Sequence, residues 1–121
     1  MNPFADDTVG VQDVTASDGH AQAHLLATDR HLNSAGTVHG GVLATLVDTA
    51  MGAAVRSTIH GDDGAATTQL TVAYLRPGRP GELTVAAHVG KQGEHILVCQ
   101  AQVEQDGEAL VEALATFAVT N

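Results

Sequence analysis

The run from His39 to Val55, HGGVLATLVDTAMGAAV, constrains the fold of this 121-residue chain most, because Asp48 is its one formally charged residue. The other side chains are mostly small and apolar, which leaves too few polar positions for a solvated helix face. An ionised carboxylate buried there without partners would cost on the order of several kcal/mol. We therefore expect Asp48 to serve a functional site or an interface, against the alternative of a surface helix with one solvated acid.

The composition excludes several classes of partner. Acidic residues outnumber basic ones by 14 to 5, and the net charge of −9 opposes a phosphate backbone. Aromatic residues make up 2% of the chain, so bases would find little to stack on. No run approaches the roughly 18 apolar residues of a membrane span, and the start MNPFADDTVG lacks the pattern of a leader peptide. We expect a cytoplasmic protein that binds neither nucleic acid nor membrane.

Turn signals divide the chain into one helical stretch set among short strands, all within a single domain over residues 1–121. Polar and apolar residues alternate, as is typical of strands, over residues 19–28, 67–75, 83–89 and 95–105. The predicted class is α+β, with one long helix packed on a five- or six-stranded, mostly antiparallel sheet. The single cysteine, Cys99, is expected to fill space in the core.

The last segment, EALVEALATFAV, is ambiguous. Leu110, Leu114 and Phe117 fit helical spacing, and Glu, Ala and Leu favour a helix. The preceding Asp106-Gly107 pair between two apolar runs indicates a hairpin, so we predict a strand.

Gly40 and Gly41 lie where the helical pattern begins, and a helix start offers unpaired backbone N–H groups together with a partial positive charge. Without a Cβ, a glycine lets a reacting carbonyl approach that backbone. Gly40 is therefore a candidate oxyanion donor and Gly41 a candidate substrate contact. The alternative is that both glycines relieve crowding between helix and sheet.

Asp48 follows Gly40 by eight residues, which is roughly 12 Å along one helix. The two are too far apart to act on one carbonyl within one chain. If both are catalytic, a two-fold dimer must bring Asp48 of one chain to Gly40 of the other. Asp48 would then act as general base on water or as the attacking nucleophile, two roles that the sequence leaves open.

Asn33, VHGGVLATLVDTA and TTQLTVAYLRPGRPG together resemble the hotdog-fold acyl-coenzyme A thioesterases of the phenylacetate-degradation (PaaI-like) family, over about residues 8–119. The resemblance implies a hotdog fold, in which an antiparallel sheet wraps one long helix. It also implies homodimers that often pair into tetramers, and hydrolysis of a coenzyme A thioester to free acid and coenzyme A, which is part of the substrate. No separate cofactor is expected.

The resemblance implies a role for each residue that occupies a matching position of the family's motif. The Gly40 amide would polarise the thioester carbonyl, Asn33 would hold the attacking water or orient the carbonyl, and Asp48 of the facing subunit would be base or nucleophile. His39 would brace the loop. Thr67, or else Thr68, would contact the reaction centre.

Three of the five basic residues, Arg76, Arg79 and Lys91, lie in one stretch of strand ends and turns, where they could form a local patch for the polyanionic coenzyme A. The seven histidines form no ligand-like cluster, so no metal is expected. Two other functions remain open: a non-catalytic acyl-coenzyme A or metabolite-binding dimer, and a dehydratase of hydroxyacyl thioesters.

Overall fold

The computed structural model describes residues 2–120. Two short helical turns, one helix and six strands follow each other in this order: a π-helical turn Phe4–Val9, β1 Gln12–Ser17, β2 His20–Ala27, a 3-10 turn Asp29–His31, α1 Gly40–Arg56, β3 Gly64–Tyr74, β4 Gly81–Gln92, β5 Ile96–Gln105 and β6 Glu108–Thr120.

The six strands form one sheet in the order β1-β2-β4-β5-β6-β3, and every neighbouring pair is antiparallel. The chain connects β2 to β3 through α1, and this crossover places β3 at the far edge of the sheet. The predicted α+β class, with one long helix on an antiparallel sheet, is confirmed. No helix within residues 2–120 is both long and apolar enough to cross a membrane.

One face of α1 supplies the centre of the core. Buried side chains recur every three or four residues, which is the spacing of a single helix face: Leu43, Leu46, Val47, Ala50, Met51, Ala54 and Val55. They pack with the inward side chains of the central strands, among them Leu25, Leu83, Leu97 and Val103. Asp48 lies beside this face and is half-buried.

The ambiguous last segment is a strand, as predicted. Val111, Ala113 and Ala115 are buried in β6, whereas Leu114 keeps 43% of its surface exposed. From Val111 to Phe117 the odd-numbered residues are buried, so the period of two sends Leu114 to the outer face of the sheet. Leu110 is buried as well because the β5–β6 pairing shifts register between Val103 and Glu104, which leaves Leu110 as an extra residue in β6. Asp106 and Gly107 both have positive φ (52° and 81°), as a tight hairpin turn requires.

The sequence analysis missed the π-helical turn and β1. All six residues of β1 are exposed, and its pairing with β2 shifts register between Gln12 and Thr15. Val14 and Ala16 are its only apolar residues, and this short alternation was too weak to predict a strand.

Cys99 lies fully buried in β5, and burial raises the pKa of its thiol from 9.0 to about 11. Because the thiolate is the nucleophile, iodoacetamide at pH 8 should alkylate the native protein about 100-fold more slowly than the chain unfolded in guanidinium, or more slowly still. Mass spectrometry of quenched samples measures both rates. Equal rates would contradict the burial.

The same shift affects stability. The Cys99 thiol loses its proton at a lower pH in the unfolded chain than in the native one. The contribution of the buried thiol to the free energy of unfolding is therefore fully present below pH 9 and is lost as the pH rises to about 11.

Candidate active site

Asp48 is held at the seam between α1 and β3. Its Oδ1 accepts a hydrogen bond from the Thr67 hydroxyl, with 2.7 Å between the oxygens. The carboxylate lines a cleft of about 300 Å³ whose other walls come from α1, β3 and the N-terminal segment: Asn2, Phe4, Ala5, Ala44, Thr45, Thr49 and Leu70. The acid therefore has one oxygen fixed by a donor and a cleft in front of it.

A β-bulge decides which threonine faces the acid. The pairing of β3 with β6 shifts between Thr67 and Gln69, and such a bulge re-aims the side chains around it. The Thr68 hydroxyl contacts Thr116 of β6, 2.7 Å from its Oγ1 and 3.1 Å from its carbonyl oxygen. Of the two candidates, Thr67 is the one in contact with Asp48.

The start of α1 leaves one amide free. His39 is the N-cap, and its Nδ1 accepts a hydrogen bond of 2.8 Å from the Gly41 N–H. The carbonyl of His39 accepts from Val42 and Leu43. Within residues 2–120, the N–H of Gly40 donates to no protein acceptor, so it is available to the oxygen of a ligand.

Tyr74, at the end of β3, contacts the carbonyl group of Gly40. Its hydroxyl donates to the Gly40 carbonyl oxygen across 2.8 Å, and a Cβ added to Gly40 would lie 3.1 Å from that hydroxyl. Glycine therefore allows Tyr74 to pack on the helix start. The sequence analysis missed this residue, although the one tyrosine of the chain at a strand end was a signal.

A second cleft, of about 310 Å³, opens beside Gly40 and is lined by Asn33, Thr37, Tyr74 and Arg76 among others. The Asn33 side chain closes its own loop: Oδ1 accepts from the backbone N–H groups of Ala35 (3.0 Å) and Thr37 (3.1 Å), and Nδ2 donates to the Thr37 hydroxyl. These bonds fix the Asn33 side chain in the lining of the cleft beside Gly40.

The structure thus divides the predicted site into two parts. Asp48, which Thr67 contacts, lines one cleft, Gly40 and Asn33 line the other, and the two clefts have no lining residue in common. Both lie along α1, which keeps Gly40 and Asp48 roughly 12 Å apart along the axis. One chain does not bring the acid and the amide together.

The three basic residues of the expected coenzyme A patch do not lie together. Arg76 donates from Nη1 to the Ala109 carbonyl (2.7 Å) and pairs through Nε with Glu108 at 3.3 Å, and it lines the cleft of Gly40. Arg79 reaches Asp106 at 3.5 Å in the same β5–β6 turn region. Lys91 lies near the opposite end of β4, so the structure does not place it beside the two arginines. No group of three or more His, Cys, Asp or Glu within residues 2–120 is placed to hold a metal ion.

Comparison with known proteins gives a matching family model and several similar sequences. The model of the thioesterase superfamily matches residues 35–112. A Caenorhabditis elegans relative is 36% identical over 98% of this chain and 69% of its own length. Human acyl-coenzyme A thioesterase 13 is 35% identical over 67% of this chain and 58% of its own, so the chain spans little more than half of that protein.

Solved structures give the same result. A conserved protein of Pseudomonas aeruginosa superposes with a TM-score of 0.93 at 30% identity, covering 98% of this chain and 94% of that one. The PaaI protein of Escherichia coli has a TM-score of 0.89 at 27% identity, with 99% and 86% covered. A Bacillus halodurans protein solved with CoA has a TM-score of 0.78 at 32% identity, with 81% and 66% covered. The expected hotdog fold and PaaI-like resemblance are confirmed.

The cap at His39 is open to a direct test. Replacing His39 with Ala removes the acceptor of the Gly41 N–H and should lower the free energy of unfolding by about 1 kcal/mol. His39→Asn, which keeps a side-chain acceptor at the cap, should recover most of that loss. Urea denaturation followed by circular dichroism measures both, and wild-type stability in His39→Ala would show that the cap contributes nothing.

Proposed function

Because the chain belongs to the thioesterase superfamily, we propose that it hydrolyses an acyl-coenzyme A thioester with a small to medium acyl group, such as an aryl-acetyl group. The reaction takes place at the interface of a homodimer, where each site combines Asp48 of one protomer with the Gly40 amide of the other. The observation that carries this proposal is the separation of the acid and the free amide into two clefts along one helix.

The edge strand β3 supports the dimer. It is eleven residues long, it is paired on one side only, and its sequence GAATTQLTVAY has neither a charge nor a proline. Monomeric proteins usually protect such an edge with charges, prolines or a covering segment. An unprotected edge of this length is suited to pairing with the same strand of a second copy.

Pairing of two β3 edges would also join the two halves of the site. Thr67 contacts Asp48, and Tyr74 contacts Gly40, so β3 touches both groups. An antiparallel pair with its two-fold axis between Leu70 and Thr71 sets Thr67 opposite the partner's Tyr74. The acid of each chain then faces the helix start of the other, and the dimer contains two such sites.

The chemistry follows from the groups that meet there. The Gly40 N–H donates to the thioester oxygen and stabilises the negative charge that develops on it in the tetrahedral intermediate. With Asp48 as general base, a water oxygen bonds to the carbonyl carbon while its proton passes to the carboxylate. The carbon–sulfur bond then breaks, and coenzyme A leaves as the thiolate, which takes up a proton.

Asp48 as nucleophile gives the same products by another route. The carboxylate attacks the carbonyl carbon, the carbon–sulfur bond breaks, and coenzyme A leaves as the thiolate, which takes up a proton. Water then hydrolyses the mixed anhydride, which releases the free acid and restores the Asp48 carboxylate. In either case the Thr67 hydroxyl holds Oδ1 and leaves Oδ2 for the reaction, and Asn33 positions the water or the carbonyl at the amide cleft.

Two single variants and their mixture test the shared site. Asp48→Asn removes the base or nucleophile. Gly40→Pro removes the N–H and adds a ring whose Cβ lies near Tyr74; proline is well accepted at the first position of a helix, and the backbone of His39 (φ −58°, ψ 134°) suits a residue before proline. Each variant should lose about 10²- to 10³-fold in kcat for thiol release. Chains refolded together should recover about a quarter of wild-type activity, since half of the dimers are mixed and each has one intact site.

Gly40→Ala is the matched control, since it keeps the N–H and adds a Cβ near Tyr74, and its kcat should stay well above that of Gly40→Pro. A mixture no more active than its components would contradict a site shared between subunits. Light scattering on the same samples distinguishes dimers from tetramers. A wild type that binds acyl-coenzyme A without releasing thiol would indicate a binding protein.

Coenzyme A recognition makes a separate prediction. Arg76 lines the amide cleft, so Arg76→Glu should raise KM for the acyl-coenzyme A several-fold with a smaller change in kcat. Arg79→Glu and Lys91→Glu change the net charge equally, and Lys91, at the far end of β4, should give the smallest increase. Equal increases in all three variants would point to the overall charge of −9 as the cause.

A further inference from the structure

The N-terminal segment forms one wall of the cleft in front of Asp48. Asn2, Phe4 and Ala5 line this cleft together with residues of α1 and β3. Ala5 and Val9 of the π-helical turn are buried in the core, at 1% and 7% exposure. Phe4 points the other way, and 59% of its surface is exposed, the largest value among the big apolar side chains of residues 2–120.

Arg30 and His31 hold this segment in place from the loop before α1. The Arg30 guanidinium donates to the Thr8 carbonyl (2.9 Å) and to the Val9 carbonyl (3.5 Å), both in the last turn of the segment. The buried His31 ring lies 2.6 Å from the same Val9 carbonyl through Nε2, while its Nδ1 accepts from the Thr28 N–H. These bonds are satisfied together when Nε2 carries the proton.

The turn after the segment is shaped to receive that arginine. Gly10 has φ of +98°, and a Cβ built on it would lie 2.9 Å from Arg30 Nη2. Its N–H and that of Val11 both donate to the Ala5 carbonyl at 2.8 Å. The wall of the cleft is therefore a fixed element of the fold and not a loose end of the chain.

The cleft has a polar and an apolar side. Asp48, Thr45 and Thr49 supply the polar groups, whereas Phe4, Leu70, Ala5 and Ala44 supply the apolar surface. A carbonyl carbon placed against the Asp48 carboxylate leaves its substituent beside the apolar side. Phe4 is the largest of those side chains, and it loses contact with water when the cleft is filled.

On the premise of the proposed thioester hydrolysis, we infer that Phe4 is a specificity-determining residue, which contacts the acyl group and favours extended apolar acyl groups over acetyl. Arg30 is a positioning residue that acts through the segment and so through Phe4. Within residues 2–120, neither residue forms a hydrogen bond with Asp48 or Gly40.

Binding of non-hydrolysable thioethers tests the inference without catalysis. S-octyl-coenzyme A and S-methyl-coenzyme A share the same nucleotide part and differ in the apolar group. Calorimetry on Phe4→Ala should show about five-fold weaker binding of the octyl compound, and binding of the methyl compound unchanged within two-fold. Leu26→Ala is the matched control, since Leu26 is 54% exposed in β2 and lies outside the cleft; its affinities should equal those of the wild type.

Arg30→Leu should weaken binding of the octyl compound in the same direction, and Phe4→Ala combined with Arg30→Leu should lose no more than the stronger single variant, because the two act through one contact. Equal loss of both thioethers in Phe4→Ala, or no loss, would overturn the inference, as would a wild type that binds the two equally or binds neither. The ratio of kcat/KM for octanoyl- and acetyl-coenzyme A should fall in parallel. Hydrolysis that survives in Asp48→Asn would overturn the proposed mechanism alone, since the thioether affinities are measured independently.

Discussion

The hydrogen bond from Thr67 to Asp48 joins the one acid of an otherwise apolar helix to the edge strand of the sheet, and the candidate site depends on it. A carboxylate on the core side of α1 would lose its hydration without compensation. Beside that face, Asp48 stays half-buried, receives one donor and keeps one oxygen for other contacts. The β-bulge after Thr67 gives the hydroxyl this direction and sends Thr68 to β6. The bulge in β3 therefore supplies the donor that lets α1 accommodate a charged residue. The same strand forms an unpaired edge of the sheet.

The rigidity of α1 explains why the site is divided. The free N–H belongs to the first helical residue, and the acid follows two turns later, so no side-chain rotation brings them to one carbonyl. The acid and the amide therefore line two separate clefts. In the proposed dimer, association of two chains would bring Asp48 of one chain to Gly40 of the other without any change in the helix. The dimer would then be part of the active site.

Much of this was readable from the sequence, and the exceptions have physical causes. Alternation located β2, β3, β4 and β5, whereas β6 was predicted from the Asp106-Gly107 turn, and β1, which has no buried face, was missed. The eight-residue spacing gave the separation of Gly40 and Asp48 because helical rise is nearly constant. The choice between Thr67 and Thr68 depends on a bulge, which leaves no sequence pattern. Lys91 is near Arg79 in sequence but lies most of a strand away, since β4 separates them. Tyr74 and Phe4 were missed because their contacts are with residues distant in the chain.

In the proposed site, the elements that hold the reactive groups differ from the element that would line the acyl side of the cleft. Asp48, Thr67 and Gly40 lie on α1 and β3, whose positions are fixed by the core and by the sheet. Phe4 lies on a short turn that is attached to the same core by two buried residues and by the Arg30 and His31 contacts. A substitution in that turn changes the wall of the cleft and leaves the helix and the sheet as they are. Within residues 2–120, neither Phe4 nor Arg30 forms a hydrogen bond with Asp48, Thr67 or Gly40, so in the proposed site a substitution in this turn would change selectivity for the acyl group while the polar contacts of the reactive groups stay in place.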